Sequence, residues 1–395
     1  NSAGAASANT AILQLLLNPT NGIPGWYYFP NVTGNDSYYF NGTIPLCDGV
    51  HLFLNGVTLV YTGVALSTDL NSGLFFGLRN FSVSHGKIST SVDTSAASSS
   101  GYAIQIGARG TDSPHFTVYD SLLTVPMGNV HIHNVSFACS NSGANLASSG
   151  CIGMTGGLRN VTLEDLDFSG NAPQPVTYEF GWATSGTIST RQTSHMHNFT
   201  FRNLHITNSG TTAIGVTLAG AYNGRVDNLY MNGGAGAIVV TSGESLFFNP
   251  WAEVDDVGAK RTIALSNIVA ENITGTAISL TGSQLASGGY LASVIAALGH
   301  PGDWLAETDL LDVTVDGFAL DGTAGGWGIL TSAGKCSIRN GRITGFQRGI
   351  VRTDECTRLM INNVEIRGCT QQGIQLDVGS AVFVPPRLLE GEIRH

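Results

Sequence analysis

Ala213-Ile214-Gly215-Val216, Ala237-Ile238-Val239-Val240, Ala277-Ile278-Ser279-Leu280, Gly328-Ile329-Leu330, Gly349-Ile350-Val351 and Gly373-Ile374-Gln375-Leu376 are six versions of one phrase. Each is a small residue followed by a short apolar run. Their isoleucines stand 24, 40, 51, 21 and 24 residues apart. A basic period stretched twice by insertions is the mark of a solenoid built from one coil per repeat. Stacked coils superpose equivalent positions, so insertions at one point of the repeat end up side by side.

The segments between these phrases have a second pattern. Val130-His-Ile-His-Asn-Val-Ser-Phe, Val161-Thr-Leu-Glu-Asp-Leu-Asp-Phe, Phe199-Thr-Phe-Arg-Asn-Leu-His-Ile and Leu359-Met-Ile-Asn-Asn-Val-Glu-Ile alternate apolar with other residues. A two-residue interruption, often with Asn, falls in the middle of each. Period two indicates strands, and no helices separate them. Each strand must therefore pair with its counterpart in the next coil. The expected fold is an all-β parallel β-helix over residues 56–383. Residues 1–55 form an N-terminal cap and first strands, 384–395 a tail, and the whole one structural domain. Residues 9–17 read as a short amphipathic helix that would cover the open end of the solenoid.

The order of that helix, a Phe29-Pro30 step, and then Gly49-Val50-His51-Leu52-Phe53-Leu54-Asn55-Gly56-Val57-Thr58-Leu59 before the coils resembles the pectate-lyase-like superfamily. The resemblance implies a right-handed coil and a polysaccharide substrate. It does not select a reaction, because function resides in sites grafted on folds. The Gly-His-Gly of polygalacturonases is absent, Asp255-Asp256 being an isolated pair, and so is the Tyr-Gly-Phe-Asp-Pro-His of β-helical mannuronan epimerases.

Composition narrows the partners. Only 12% of residues are charged and the net charge is −10, with three lysines, Lys87, Lys260 and Lys335. Nucleic-acid binding needs a basic face and is not expected. No run of 18 apolar residues is present, so no membrane span is expected. No signal peptide opens the chain, but a leader is removed on export, and the substrate class suggests a secreted, cell-surface or virion-surface protein. Six cysteines lack metal-type spacing; Cys139 with Cys151 and Cys356 with Cys369 are candidate disulfides, buried free thiols the alternative. Eight positions read N-x-S/T, among them Asn31, Asn80, Asn134, Asn160, Asn198 and Asn272. Several recur at one repeat position, which favours stacked turns over glycan acceptors.

Aligning the phrases places four long connections, roughly 107–127, 182–197, 241–261 and 281–308, at the same corner of the coil. They hold eight carboxylates against four cations, Arg109, Arg191, Lys260 and Arg261. That balance disfavours a polyanion unless calcium intervenes. Two clusters stand out. The first joins Tyr178-Glu179-Phe180-Gly181-Trp182 to Arg191, His195 and His197; the second is Trp251, Glu253, Asp255, Asp256, Lys260 and Arg261. Glu179 interrupts an apolar run, where a carboxylate is costly unless used or paired.

Glycoside hydrolysis needs two carboxyl groups about 5–10 Å apart, and Glu179 with Asp255 or Asp256 is the expected pair. β-Elimination on a uronic-acid polymer needs a cation to neutralise the carboxylate and a base beside it. Arg191 with Lys260 or Arg261, and His195, His197 or Tyr178, would serve. Epimerisation belongs to the same class. Tyr178, Trp182, Trp251, Glu253, Lys260, Arg261 and Trp304 are the expected substrate contacts. No resident metal or other cofactor is expected: His195-x-His197 and the repeat-like His131-x-His133 each lack a third ligand. The non-enzymatic alternative is a glycan-binding spike, which by superfamily analogy forms a homotrimer.

Overall fold

The computed structural model describes residues 5–63, 72–91, 101–107, 127–140, 150–155, 157–179, 196–208, 210–241, 261–281, 311–332, 334–352, 356 and 358–376. The chain is an all-β parallel β-helix. In sheet A the consecutive strands are Gly25–Tyr28, Val50–Phe53, Arg79–Thr90, Met127–Cys139, Leu158–Gly170, Thr200–Asn208, Gly224–Asn232, Arg261–Ile273, Leu311–Gly322, Lys335–Thr344 and Arg358–Arg367. Sheet B runs through Ile44–Leu46, Ser72–Gly77, Gly101–Gly107, Gly150–Thr155, Gln174–Glu179, Ile214–Ala219, Gly236–Thr241, Ile278–Thr281, Trp327–Thr331, Arg348–Arg352 and Gln372–Leu376. The chain alternates between the sheets, so one strand from each makes a coil.

The repeated apolar phrase is a sheet B column. Val176, Val216, Ile238, Ile278, Ile329, Ile350 and Ile374 pair in succession across seven strands. Five of the six isoleucines align as the spacing predicts. Ile214 does not: it pairs with Gly236, and Val216 takes the column position beside Ile238. The small residue before each run has a packing cause. A Cβ on Gly328 would come 2.4 Å from Ile343 Cγ2, and one on Gly349 2.6 Å from Ile366 Cγ2. Core side chains from sheet A fill the space that a larger residue would need.

Sheet A strands are long because each carries a bend. His85, Asn134, Asp165, Asn203, Asn228, Asn267, Gly317, Asn340 and Asn363 hold the same place in nine coils, with φ from 52° to 69°. Asn and Asp tolerate this left-handed conformation better than other non-glycine residues. The bend shifts the alternation by one residue, so that Ile132 before it and Val135 after it both point inward. Side chains bond from coil to coil: Asn203 Nδ2 donates to Asp165 Oδ1 (2.7 Å), Asn228 Nδ2 to Asn203 Oδ1 (2.8 Å) and Asn363 Nδ2 to Asn340 Oδ1 (3.0 Å).

A second left-handed column, Asn80, Asn129, Asn160, Asn198 and Asn223, marks the entry to sheet A. There Asn160 Nδ2 donates to Asn129 Oδ1 at 2.8 Å. Of the N-x-S/T residues, Asn80, Asn160 and Asn198 stand in this entry column, Asn134 in the bend column, and Asn272, also left-handed, at the register shift between Ala270 and Ile273.

The N-terminal helix spans Ala6–Leu17. Asn9 Nδ2 donates to the Tyr39 carbonyl (3.0 Å) and Gln14 Nε2 to that of Thr43 (2.6 Å). The helix thus occupies acceptors on the terminal coil that a further coil would otherwise use. No helix among the described residues is long and apolar enough to cross a membrane.

Candidate functional site: one corner and one face

The register of sheet B fixes the corner from which the long connections leave. Gly107 and Glu179 each pair with Thr155, and Thr241 pairs with both Ala219 and Thr281. The connections after Gly107, Glu179, Thr241 and Thr281 therefore depart from the same C-terminal edge of sheet B, with the short-linked strands Gly150–Thr155 and Ile214–Ala219 among them. They rejoin the fold at Met127, Met196, Arg261 and Leu311, at the start of sheet A. Short coils make the same passage in a few residues, as between Thr155 and Leu158 or Thr331 and Lys335.

Polar groups crowd the outward face of sheet B beside this corner. Gln105 and Thr177 alternate with the core residues Ile104, Ile106, Val176 and Tyr178, yet each is only 2% exposed. Gln174 Oε1 accepts from Tyr102 Oη (3.0 Å) and from Thr177 Oγ1 (3.1 Å). Thr155 Oγ1 is buried and has no hydrogen-bond partner among the described residues. A buried polar atom in that state calls for a structural or functional explanation.

Of the expected site residues, Glu179 ends its strand at the corner, and Arg261 opens the strand that returns there, paired with Leu311. Trp182, Arg191, His195, Trp251, Glu253, Asp255, Asp256, Lys260 and Trp304 lie outside the described residues. His197 is 8% exposed and packs on Tyr222, with ring centroids 5.2 Å apart. Tyr178 requires a correction. Expected at the substrate, it is 0% exposed, because strand alternation puts it in the core with Val176. It is a packing residue.

On the outward face of sheet A the structure assembles a second cluster, one the sequence did not reveal. Trp26, His51, Ser82 and His131 form one row across four strands, and Tyr28, Phe53, Ser84 and His133 the next. The two serines are small and buried, and rings from the flanking strands close over them. Trp26 stacks on His51 (centroids 4.7 Å apart, planes at 28°), and His51 Nδ1 lies 2.9 Å from Ser82 Oγ. Tyr28–Phe53 (5.5 Å), Phe53–His85 (4.8 Å), His85–His133 (5.0 Å) and His133–His131 (4.2 Å) continue the contacts. Trp26 and Tyr28 are 61% and 66% exposed, large values for aromatic residues on a rigid sheet.

The far end of this face is charged. Glu164 forms an ion pair with Arg202, and hydrogen bonding to that guanidinium holds the carboxyl below its usual range. His131 Nε2 stands 3.6 Å from Glu164 Oε2, too far for a hydrogen bond, and is a buried atom without a hydrogen-bond partner among the described residues. Burial first, then His131 and His85, keep the His133 imidazole below its ordinary pKa. The Asn134 amide N–H donates to His133 Nδ1 (3.0 Å), so the ring proton sits on Nε2. Among the described residues no three His, Cys, Asp or Glu side chains are arranged to hold a metal ion. The face thus offers ring planes for stacking and imidazole nitrogens for hydrogen bonding.

No family model and no curated protein matches the chain. Among solved structures it is similar to the A-module of the Azotobacter vinelandii mannuronan C-5 epimerase AlgE4. The identity is 12%, the match covers 86% of this chain and 91% of that one, and the TM-score is 0.34. Similarity at that level carries no activity across. The functional reading rests on this chain's own residues.

Proposed function

We propose that the protein is a carbohydrate-active enzyme that cleaves glycosidic bonds of a polysaccharide or oligosaccharide by hydrolysis. The observation that supports this most is the departure of four long connections from the same corner within six consecutive sheet B strands, one of them directly after Glu179. Loops gathered on one edge of a rigid scaffold are the usual setting for catalysis, and a row of them along a solenoid suits an extended polymer.

In this reading one carboxyl of the pair Glu179 and Asp255 or Asp256 protonates the leaving oxygen. The other activates water or attacks the anomeric carbon. Arg191, His195 and His197 orient the pair, and Trp182, Trp251, Glu253, Lys260, Arg261 and Trp304 hold the sugar. The chemistry needs no resident metal; calcium enters only with an anionic substrate. Secretion or display at a cell or virion surface accords with such a substrate.

A panel of neutral and uronic-acid polysaccharides, read by reducing ends and by ultraviolet absorbance of an unsaturated product, tests the proposal. New reducing ends without absorbance, abolished by Glu179→Gln and Asp255→Asn, support hydrolysis. Absorbance rising with the reducing ends replaces it with β-elimination and makes Arg191, His195 and His197 the residues to vary. No cleavage of any substrate overturns the enzymatic reading.

The ring-covered face of sheet A favours a second reading, a glycan-binding β-helix of tailspike type, for which a homotrimer is the expected assembly. Flat, exposed aromatic rings offer the apolar planes on which the apolar faces of sugars stack. In this non-catalytic reading Trp26→Ala should weaken oligosaccharide binding about tenfold in calorimetric titration, as loss of an exposed tryptophan anchor does, with no cleavage of the oligosaccharide by either protein. Unaltered affinity removes this face from glycan recognition.

A further inference from the structure

Cys139 closes its sheet A strand and Cys151 stands second in the sheet B strand that comes next, so the two residues flank one passage between the sheets. Both side chains are buried, and their sulfurs lie 2.6 Å apart. Non-bonded sulfurs do not pack that closely, whereas a disulfide requires the side chains to converge in this way. The passage lies at the corner opposite the long connections. It belongs to the coil carrying His131 and His133 and adjoins the coil that Glu179 completes.

We infer that Cys139 and Cys151 are joined by a disulfide, formed during folding and sealed when the neighbouring coils close over it. The two thiols form one S–S bond and release two protons. Their two electrons pass to a donor disulfide, of a small thiol or an oxidoreductase, which is cleaved to two thiols. Once the coil is closed both sulfurs are buried and the pair is inaccessible to attacking thiolates. A cystine of this kind places maturation in an oxidising compartment. That agrees with an exported protein and does not depend on which reaction the corner performs.

The full chain, exported behind a cleavable leader, is denatured with iodoacetamide in the absence of reductant and digested with trypsin. No Lys or Arg lies between Arg109 and Arg159, so one peptide, residues 110–159, holds both cysteines. It should carry no alkyl group and be lighter than the dithiol form by two hydrogens. After prior reduction it should carry two alkyl groups, while the Cys47 peptide is alkylated in both samples. Two alkyl groups on peptide 110–159 without reduction overturn the inference.

Thermal midpoints supply an independent check. Cys139→Ser, Cys151→Ser and the double variant should fall by nearly the same amount, because either single change already removes the bond. Single effects that add in the double variant indicate two unlinked thiols and reject the disulfide. Loss of the disulfide with cleavage intact would leave the enzymatic proposal standing, and the reverse result would leave the disulfide standing.

Discussion

The two sides of each coil differ. On the sheet A side nine consecutive coils turn through one left-handed residue, and Asn, Asp, His or Gly fills that place each time without an insertion. At the sheet B corner the same chain passes from strand to strand in two residues after Thr155 but in 29 after Thr281. The bend is held by backbone pairing and by amides bonded from coil to coil, so a change there is transmitted along the stack. The corner terminates pairing, and the length of the connection beyond it can vary without disturbing the register. Regularity on one side is what makes variation on the other compatible with a single fold. Stability should therefore reside at the bend and chemistry at the corner.

The largest effect tests the corner. Glu179→Gln should lower turnover by about 10²–10⁴-fold, the range for removing a general acid or base, with the thermal midpoint little changed. If turnover persists while the midpoint collapses, the carboxylate is structural and the contrast between the two sides fails.

Next comes the core that both sides share. Phe201 is buried in the sheet A column between Leu163 and Val226. Phe201→Ala should cost about 3–5 kcal/mol through lost burial and the cavity left behind. Activity measured below the new midpoint should survive, because the corner lies at the strand ends.

The bend itself allows a finer division. Asn203 has φ of 54°, donates to Asp165 and accepts from Asn228. Asn203→Gly keeps the backbone at ease and loses only the ladder bonds, about 1 kcal/mol. Asn203→Ala adds about 1–2 kcal/mol of left-handed strain. Denaturant unfolding of both variants gives strain as their difference and the ladder as the smaller loss. Equal losses would show that conformation contributes nothing.

The sequence disclosed this fold because a solenoid writes its geometry locally. Alternation within a strand, Asn at a turn and a small residue before an apolar run are set by neighbours a few positions away. Ile238, Ile278, Ile329, Ile350 and Ile374 aligned for that reason. Ile214 slipped by two because the pairing is decided by where the preceding turn closes, and a shift of two keeps a side chain on the same face. Tyr178 was readable as core from Val176-x-Tyr178, but the adjacent Glu179 drew it into the site. The ring face of sheet A had no local signal. Trp26, His51 and His131 are far apart in the chain and meet only through the register, and His131-x-His133 alone looked like any other strand.

The smallest effect concerns that face and depends on pH. His133 faces His131 and His85, with Glu164 and Asp165 also acting on it. Its folded pKa lies below the unfolded value of 6.5, so on acidification the unfolded chain takes up the proton first. The stability from the neutral ring is thus complete above 6.5 and is lost as pH falls from there through the folded value. Glu164 behaves separately: Arg202 lowers its pKa from 4.5, and its contribution is lost only at more acid pH. Between about pH 7.5 and about pH 5.5 the wild-type midpoint should fall by more than that of His133→Gln. Parallel curves would mean that the His133 ring keeps its proton affinity on folding, and that the stacked histidines are as open to water as their partners on the rim.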